Sequence, residues 1–213
     1  MRIDRLAKLA AAAFILPMAA ACSTIGGDEY GFNSPYYLVK ANKVTKVGNR
    51  TVAVTAPEPW NRVRPRLFDD VPEVEDWTLN GPLLDTVSFV TGLKNSKAIV
   101  RQRQTDERKV PIFRSDMTAP EIASMLETLF RNRLGAADFK TLGLQPRTFL
   151  GVPGFQFDYE HLDSDELWRK GRTVGAVYGD RLYLVVFDAA RSHYYNAELA
   201  DVEAIINSAR IVR

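Results

Sequence analysis

Residues 172–187 read RTVGAVYGDRLYLVVF, two runs of β-branched, aromatic and small residues separated by Gly179-Asp180. Two residues of this type between such runs predict a β-hairpin, because both tolerate the positive φ angles of a tight turn. The second run, residues 182–187, is apolar at every position. A strand that is apolar on both faces lies inside a sheet rather than at its edge. The hairpin therefore predicts an antiparallel sheet with this strand near its centre.

Further strands are predicted before this hairpin in the sequence. Residues 155–160 read FQFDYE, so aromatic and polar side chains alternate. That alternation predicts a strand with one buried face and one face in solvent. Residues 51–55 and 83–90 are predicted as earlier strands, and residues 110–113 as a shorter one.

Two amphipathic helices complete the pattern. Asp116 or Thr118 can cap the first helix, residues 120–134, and Glu121 completes a Thr-x-x-Glu capping box with Thr118. The second helix is predicted to begin near Asn196, with acidic residues early and a basic residue late, as the helix dipole favours. Its apolar stripe consists of Val202, Ile205, Ile206 and Ala209. Strands and helices in this order predict an α+β fold, a mainly antiparallel sheet with helices packed on it.

The order of these elements resembles the PsbP-like fold. The segments that carry the resemblance are the helix 120–134, GVPGFQF at 151–157, GDRLYL at 179–184 and DVEAIINSA at 201–209. Together they extend the resemblance over most of residues 44–213. That fold is an α/β/α sandwich named for a photosystem extrinsic subunit and is also found in bacterial lipoproteins. The resemblance implies an accessory or assembly role on a larger complex and supplies no catalytic motif.

The N-terminal segment has the pattern of a secretory signal peptide. Residues 1–8 carry three basic side chains and one acid, and residues 9–21 are free of charge. This apolar stretch of 13 residues contains Pro17 and is shorter than the roughly 20 residues that span a bilayer. Residues 1–21 are therefore predicted to be a signal peptide rather than a membrane anchor.

The only cysteine follows directly on this segment. Ala19-Ala20-Ala21-Cys22-Ser23 resembles the lipobox of bacterial lipoproteins, although Ala19 stands where Leu is commoner. The resemblance implies that the Cys22 thiol is lipidated, that cleavage precedes it, and that Ser23 directs export to the outer membrane of a Gram-negative bacterium. The open alternative is an ordinary signal cut near Ala21 with a free cysteine.

The remainder divides into a tether and one domain. Residues 22–35, rich in glycine and without apolar periodicity, are predicted to be a flexible tether after the lipidated cysteine. Residues 36–213 are predicted to form a single globular domain. Without residues 1–21 the basic and acidic side chains are equal in number, so net charge does not favour nucleic acid as a partner.

Residues suited to catalysis are few and do not form a motif. His161 continues the buried face of residues 155–160, and His193 precedes the last helix, so both are interpreted as structural. Neither has a second ligand at metal-binding spacing, and no nucleophile elbow or phosphate-binding loop is present. The sequence predicts no catalytic residue, no metal site and no cofactor.

One basic segment is a candidate binding surface. Trp60 is followed by Arg62, Arg64 and Arg66, and guanidinium groups suit phosphate or carboxylate recognition. The alternative is a solvated surface on which the Trp60 ring packs against the sheet.

These observations favour a non-catalytic, lipid-anchored envelope protein that binds or helps to assemble another envelope protein. A carrier or sensor of a small amphiphile, held between sheet and helix, is the second hypothesis. A hydrolase of envelope material is the third, and it requires a nucleophile and a base in one cleft.

Overall fold

The computed structural model describes residues 34–64, 71–103 and 107–212. The predicted signal peptide, Cys22, Ser23 and Arg66 lie outside the described residues. Eleven strands and two helices are described, in the order β1 Tyr36–Val39, β2 Val44–Val47, β3 Val52–Thr55, β4 Trp60–Val63, β5 Val74–Thr78, β6 Asp85–Lys94, α1 Ala119–Arg133, β7 Phe139–Phe149, β8 Val152–Leu162, β9 Trp168–Tyr178, β10 Arg181–Ala190, α2 Tyr194–Ser208 and β11 Arg210–Ile211. No helix among these residues is both long and apolar enough to cross a membrane.

The larger sheet has eight antiparallel strands in the order β1-β4-β5-β6-β10-β9-β8-β7. β9 and β10 form the predicted hairpin, and the φ angles of Gly179 and Asp180 are 55° and 61°. β10 lies between β6 and β9, and nine of its ten residues are buried. The prediction of a central strand is confirmed, because an apolar strand requires cover on both faces.

Each face of the large sheet has its own hydrophobic core. α1 covers one face, where Ile122, Leu126 and Phe130 are buried in the helix–sheet interface. α2 and the small sheet β11-β3-β2 cover the other face, where Val202 and Ile205 are fully buried. The fold is thus the predicted α+β sandwich with helices packed on a mainly antiparallel sheet.

The predicted capping box of α1 is present. The Glu121 carboxylate accepts hydrogen bonds from the backbone N–H and the hydroxyl of Thr118, at 2.7 and 2.8 Å. These hydrogen bonds lower the pKa of Glu121. Thr118, rather than Asp116, is therefore the N-cap residue.

The strand prediction for residues 110–113 is wrong. This segment belongs to neither sheet. Its backbone is satisfied locally: the N–H of Val110 donates to the side chain of Gln102, and Phe113 exchanges hydrogen bonds with Lys97 and Ser96. Phe113 is nevertheless fully buried, so the apolar pattern reflects packing under α1 rather than strand pairing.

The polar face of β8 is not in open solvent, contrary to the prediction from residues 155–160. Asp158 accepts a hydrogen bond from Arg172 of β9 at 2.7 Å. The carboxylate of Glu203 on α2 binds Arg172 at 2.8 Å and Arg147 of β7 at 2.6 Å. The polar alternation therefore forms an ion-pair network under α2, which a single strand's pattern cannot reveal.

Candidate functional site

The predicted basic surface is not assembled around Trp60. The Trp60 side chain is fully buried in the core beneath α2. Arg62, two residues further on the same face, donates to both carboxylate oxygens of Glu75, at 2.5 and 2.7 Å, and to the carbonyl of Lys46 at 2.6 Å. These contacts join the small sheet to the large one. Trp60 and Arg62 therefore make contacts that stabilise the fold. For Trp60 this agrees with the alternative interpretation, in which its ring packs against the sheet.

Arg64 is engaged as well. Its guanidinium lies 3.9 Å from the centroid of the Tyr37 ring, a cation–π contact between β1 and the end of β4. Arg66, the last residue of the predicted surface, is outside the part of the chain that the structure describes. The described members of the segment thus hold strands together, and the structure does not bring them to one exposed face.

A buried charged cluster surrounds Asp188 on the α1 face of the sheet. One carboxylate oxygen of Asp188 lies 3.0 Å from His161 Nε2, and the other accepts a hydrogen bond from Arg169 Nε. Arg169 also donates to the backbone carbonyls of Leu83, at 2.7 Å, and Asp188, at 3.1 Å. Burial and the nearby Asp188 charge raise the pKa of Tyr159 well above its usual range.

This cluster pairs its charges internally and is closed to solvent. His161 and Arg169 are 2% and 4% exposed. The ring of Phe130 covers His161 and Tyr159, with centroid distances of 5.1 Å to each. Such an arrangement fixes the packing of three strands and offers a substrate no route to the imidazole. The prediction of a structural His161 agrees with this position, with deeper burial than expected.

The space between the sheet and α1 is filled by aromatic rings. Phe139 stacks on Tyr159 and Phe157, with centroid distances of 5.1 and 6.3 Å. Phe130 packs on Phe139 at 5.8 Å. An amphiphile carrier would need this volume for its ligand. The packing therefore does not favour the second hypothesis from the sequence.

An open recess lies at one end of the large sheet, and we refer to it as the Glu198 recess. Its volume is about 480 Å³. It is formed by the loop before β4, the loop after β5 and the first turns of α2. Its lining residues are Glu58, Pro59, Leu79, Asn80, His193, Tyr194, Ala197, Glu198 and Asp201.

The loop after β5 is held rigidly by Asp85, the first residue of β6. One oxygen of this fully buried carboxylate accepts hydrogen bonds from the Thr78 hydroxyl at 2.8 Å and the Leu79 N–H at 2.6 Å. The other accepts from the Asn80 N–H at 2.7 Å. These bonds fix Asn80 in place, and its side-chain amide donates to Glu198 Oε1 at 2.7 Å.

Glu198 is the least satisfied carboxylate of this region. Its residue is 5% exposed, and its Oε2 atom is buried without a hydrogen-bond partner among the described residues. Burial, reinforced by the charges of Asp85 and Asp201, raises the pKa of Glu198 to about 7, against the lowering effect of the Asn80 amide. A buried polar atom without a partner lowers stability, and the described residues contain other such atoms in the packed core, Trp60 Nε1 and Tyr159 Oη among them. The position of Glu198 in the lining of the recess is what distinguishes it from them.

Comparison with solved structures identifies the fold. No protein-family model matches the chain, and no curated protein matches it by sequence. The solution structure of cyanobacterial PsbP (CyanoP) from Synechocystis sp. PCC 6803 matches with a TM-score of 0.54 and 13% sequence identity, over 87% of this chain and 98% of that one. The chain has the PsbP-like fold. At this identity the likeness concerns the fold and not the residues of the Glu198 recess.

Two further solved structures are more distant. PA94 from Pseudomonas aeruginosa has a TM-score of 0.42 at 11% identity, over 81% of this chain and 98% of that one. LpqN of Mycobacterium tuberculosis, described as involved in cell envelope biogenesis, has a TM-score of 0.35 at 11% identity, over 85% of this chain and 88% of that one. Both are too dissimilar to the PsbP-like fold of this chain to carry an argument.

Sequence reasoning did not single out the Glu198 recess, although one signal was present. The buried stripe of α2 includes Tyr195, Val202 and Ile205, and Glu198 occupies the position between the first two. At helical spacing an acid three residues after one core residue and four before the next faces the core. The sequence signal for Glu198 was therefore an acidic residue at a position where an amphipathic helix normally has an apolar one. Asn80 had no corresponding signal, because it reaches Glu198 only through the Asp85 turn.

Proposed function

We propose that this protein is a lipid-anchored component of the cell envelope that acts without catalysis, as a binding or assembly accessory for another envelope protein. Its attachment would be through Cys22, at the boundary of a short apolar segment and a glycine-rich one. Firm membrane attachment requires more than one acyl chain, which the lipoprotein resemblance implies. Ser23 after this cysteine favours the outer membrane, with the domain facing the periplasm.

The observation that carries the binding role is the Glu198 recess. It combines an open volume, a rigid frame and a buried carboxylate oxygen that has no partner among the described residues. The frame is set by strand ends and by the first turns of α2, so the recess is shaped before any partner arrives. Preformed pockets with a few fixed polar groups are the usual form of a binding site.

The recess is also placed well for a tethered protein. β1 enters the sheet at Tyr36, paired with Val63, and runs to Val39, paired with Trp60. Glu58 and Pro59 of the recess directly precede Trp60, so β1 runs towards the end of the sheet that carries the recess. A partner that approaches this end does not have to occupy the side from which the chain enters the domain.

Site-specific photo-crosslinking in intact cells tests the role. A crosslinking amino acid at Ala197, an exposed residue that lines the recess, is expected to capture one envelope protein. The matched control is Thr148, an exposed position on β7 at the opposite edge of the sheet. Equal products at both positions, or none at either, would contradict the proposed role of the recess.

The anchor is tested separately by Cys22→Ser, which removes the only thiol of the chain. The native protein should fractionate with membranes and have an intact mass that starts at Cys22 plus acyl groups. The variant should accumulate as precursor or as a soluble form. Unchanged membrane retention together with an unshifted mass would refute the lipid anchor.

A further inference from the structure

The charges around the Glu198 recess are predominantly negative. Asp201 lies one helical turn after Glu198 on α2, and Glu58 lies on the loop before β4. Asp85 lies behind them, and hydrogen bonds within the loop hold its carboxylate in place. Among the lining residues only His193 can carry a positive charge.

Apart from Asn80, the remaining walls of the recess are apolar or aromatic. Pro59, Leu79 and Ala197 line it together with Tyr194. A volume of about 480 Å³ is within the usual range for small-ligand pockets and exceeds what a bare ion requires. No group of three or more side chains among the described residues has the arrangement of a metal-ligand set. The walls therefore suit a ligand that carries both a cation and a hydrocarbon stem.

From this arrangement we propose that the Glu198 recess binds an organic cation, an ammonium or guanidinium group on a short aliphatic stem. The carboxylates of Glu198, Asp201 and Glu58 would stabilise the charge of the cation, and its N–H groups would donate to those carboxylate oxygens that face the recess. The stem would pack on Pro59 and Leu79, as lysine and arginine stems do on apolar surfaces.

Two sources of such an organic cation can be distinguished by experiment. One is a lysine or arginine side chain of a protein partner, and the other is a free small amine. The first case rests on the proposed function, since the partner would then insert its side chain into the recess. The second does not require a protein partner at all.

The experiment is a titration followed by two-dimensional NMR on the full chain in detergent micelles. Butylammonium and propylguanidinium are the probes, and butanol, which has a similar stem without charge, is the matched control. The side-chain amide signals of Asn80 should shift with each cation and not with butanol, because this amide shares the Glu198 carboxylate. A single small-cation site of this kind is expected to have a dissociation constant of about 1–10 mM.

Glu198→Gln should weaken cation binding about tenfold, because it removes the charge and preserves the shape. Glu127→Gln, at an acid on α1 paired with Arg131, is the control and should leave binding unchanged. Asp201→Asn, at a less buried lining residue, gives a second variant with an expected loss of about threefold. Shifts that are the same with butanol, or cation binding that survives both recess substitutions, would overturn the proposal.

The pH dependence of cation binding provides an independent test. Binding should be about tenfold weaker near pH 5.5 than near pH 8, because the Glu198 carboxyl group, whose pKa is about 7, is largely protonated at the lower pH. Asp85, Asp201, Glu58 and His193 are the other titratable groups that face the site. Affinity that did not change over this interval would contradict a role for the Glu198 carboxylate.

The two sources are separated by an arginine-containing peptide and a polyamine, each titrated against the same protein. A partner-derived side chain predicts that the Ala197 crosslink in cells is lost in Glu198→Gln. A free amine predicts that small cations bind while the crosslink is unaffected. If crosslinking at Ala197 succeeds and neither probe shifts Asn80, the cation proposal fails while the accessory function stands.

Discussion

Two carboxylates of this protein are almost equally buried and have opposite surroundings. Asp188 is 8% exposed and lies between His161 and Arg169, so a fixed positive charge faces it. Glu198 is 5% exposed and has the neutral Asn80 amide as its hydrogen-bond partner. The comparison teaches that burial alone does not identify a site: the Asp188 charge is matched by a counterion within the fold, whereas the Glu198 carboxylate has a neutral hydrogen-bond partner.

The largest effect on stability should come from replacing Asp188, the carboxylate that has a counterion. Asp188→Asn would leave the Arg169 guanidinium buried without its counterion, and removing one partner of a buried ion pair costs about 3–5 kcal/mol of unfolding free energy. Urea denaturation measures this loss. The matched control is Asp180→Asn at the hairpin turn, where asparagine tolerates the φ of 61°. Equal stability of the two variants would remove the distinction between Asp188 and an ordinary surface acid.

A smaller loss is expected at the ion-pair network under α2. Glu203→Gln removes the charge that binds both Arg147 and Arg172, whose side chains are 20% and 21% exposed. Hydrogen bonds to charged groups contribute more than neutral ones, so we expect a loss of about 2 kcal/mol in urea denaturation. Glu127→Gln, which breaks a partly exposed pair with Arg131 one helical turn away, should cost about 0.3–0.5 kcal/mol. If both losses were alike, the Glu203 network would behave as a surface ion pair.

The third effect should have the opposite sign and concern Glu198. The fold raises its pKa from 4.5 to about 7, so the folded state holds this proton more tightly than the unfolded state. This contribution to stability is complete below about pH 4.5 and is lost as the pH rises to about 7. Glu198→Gln should abolish that dependence and stabilise the protein by about 1–2 kcal/mol near pH 8, after allowance for solvent screening.

Urea denaturation of wild type and Glu198→Gln across this pH range makes the measurement. Glu127→Gln is again the control and should retain the wild-type pH dependence. A variant that is less stable than wild type near pH 8 would mean that the Glu198 carboxylate is satisfied in the fold. The difference between Glu198 and Asp188 would then disappear, and the argument that the Glu198 charge attracts a cation to the recess would lose its support.

The fold class, the central hairpin and both helices were predictable because they are encoded by local periodicity. The Gly179-Asp180 turn, the capping box at Thr118 and the apolar run of β10 are each contained in a few consecutive residues. Six of the eleven described strands, β1, β2, β4, β5, β7 and β11, were not predicted. At residues 110–113 a strand was predicted wrongly, because the apolar pattern there belongs to a buried loop. A short apolar run occurs in a buried strand, but it occurs equally in a buried loop that pairs with no strand, so the sequence pattern does not distinguish the two.

The candidate site was much less predictable. The arginines from Arg62 onward suggested a binding surface, yet Arg62 is paired with Glu75, which follows 13 residues later and on another strand. Glu198 carried a readable signal in the register of α2, while its partner Asn80 is 118 residues away in the sequence. A charge pattern shows which groups are present and does not show which ones the fold neutralises.

The sequence by itself determined the antiparallel sheet, both helices and the placement of apolar residues in their interfaces, since these follow from periods of two and about 3.6 residues. Only the tertiary structure decided which charges are paired. The register between β9 and β10 places Arg169 beside Asp188, and the turn held by Asp85 places Asn80 beside Glu198. Electrostatic energy depends on distances across the chain and on local burial, and neither is a property of a sequence segment.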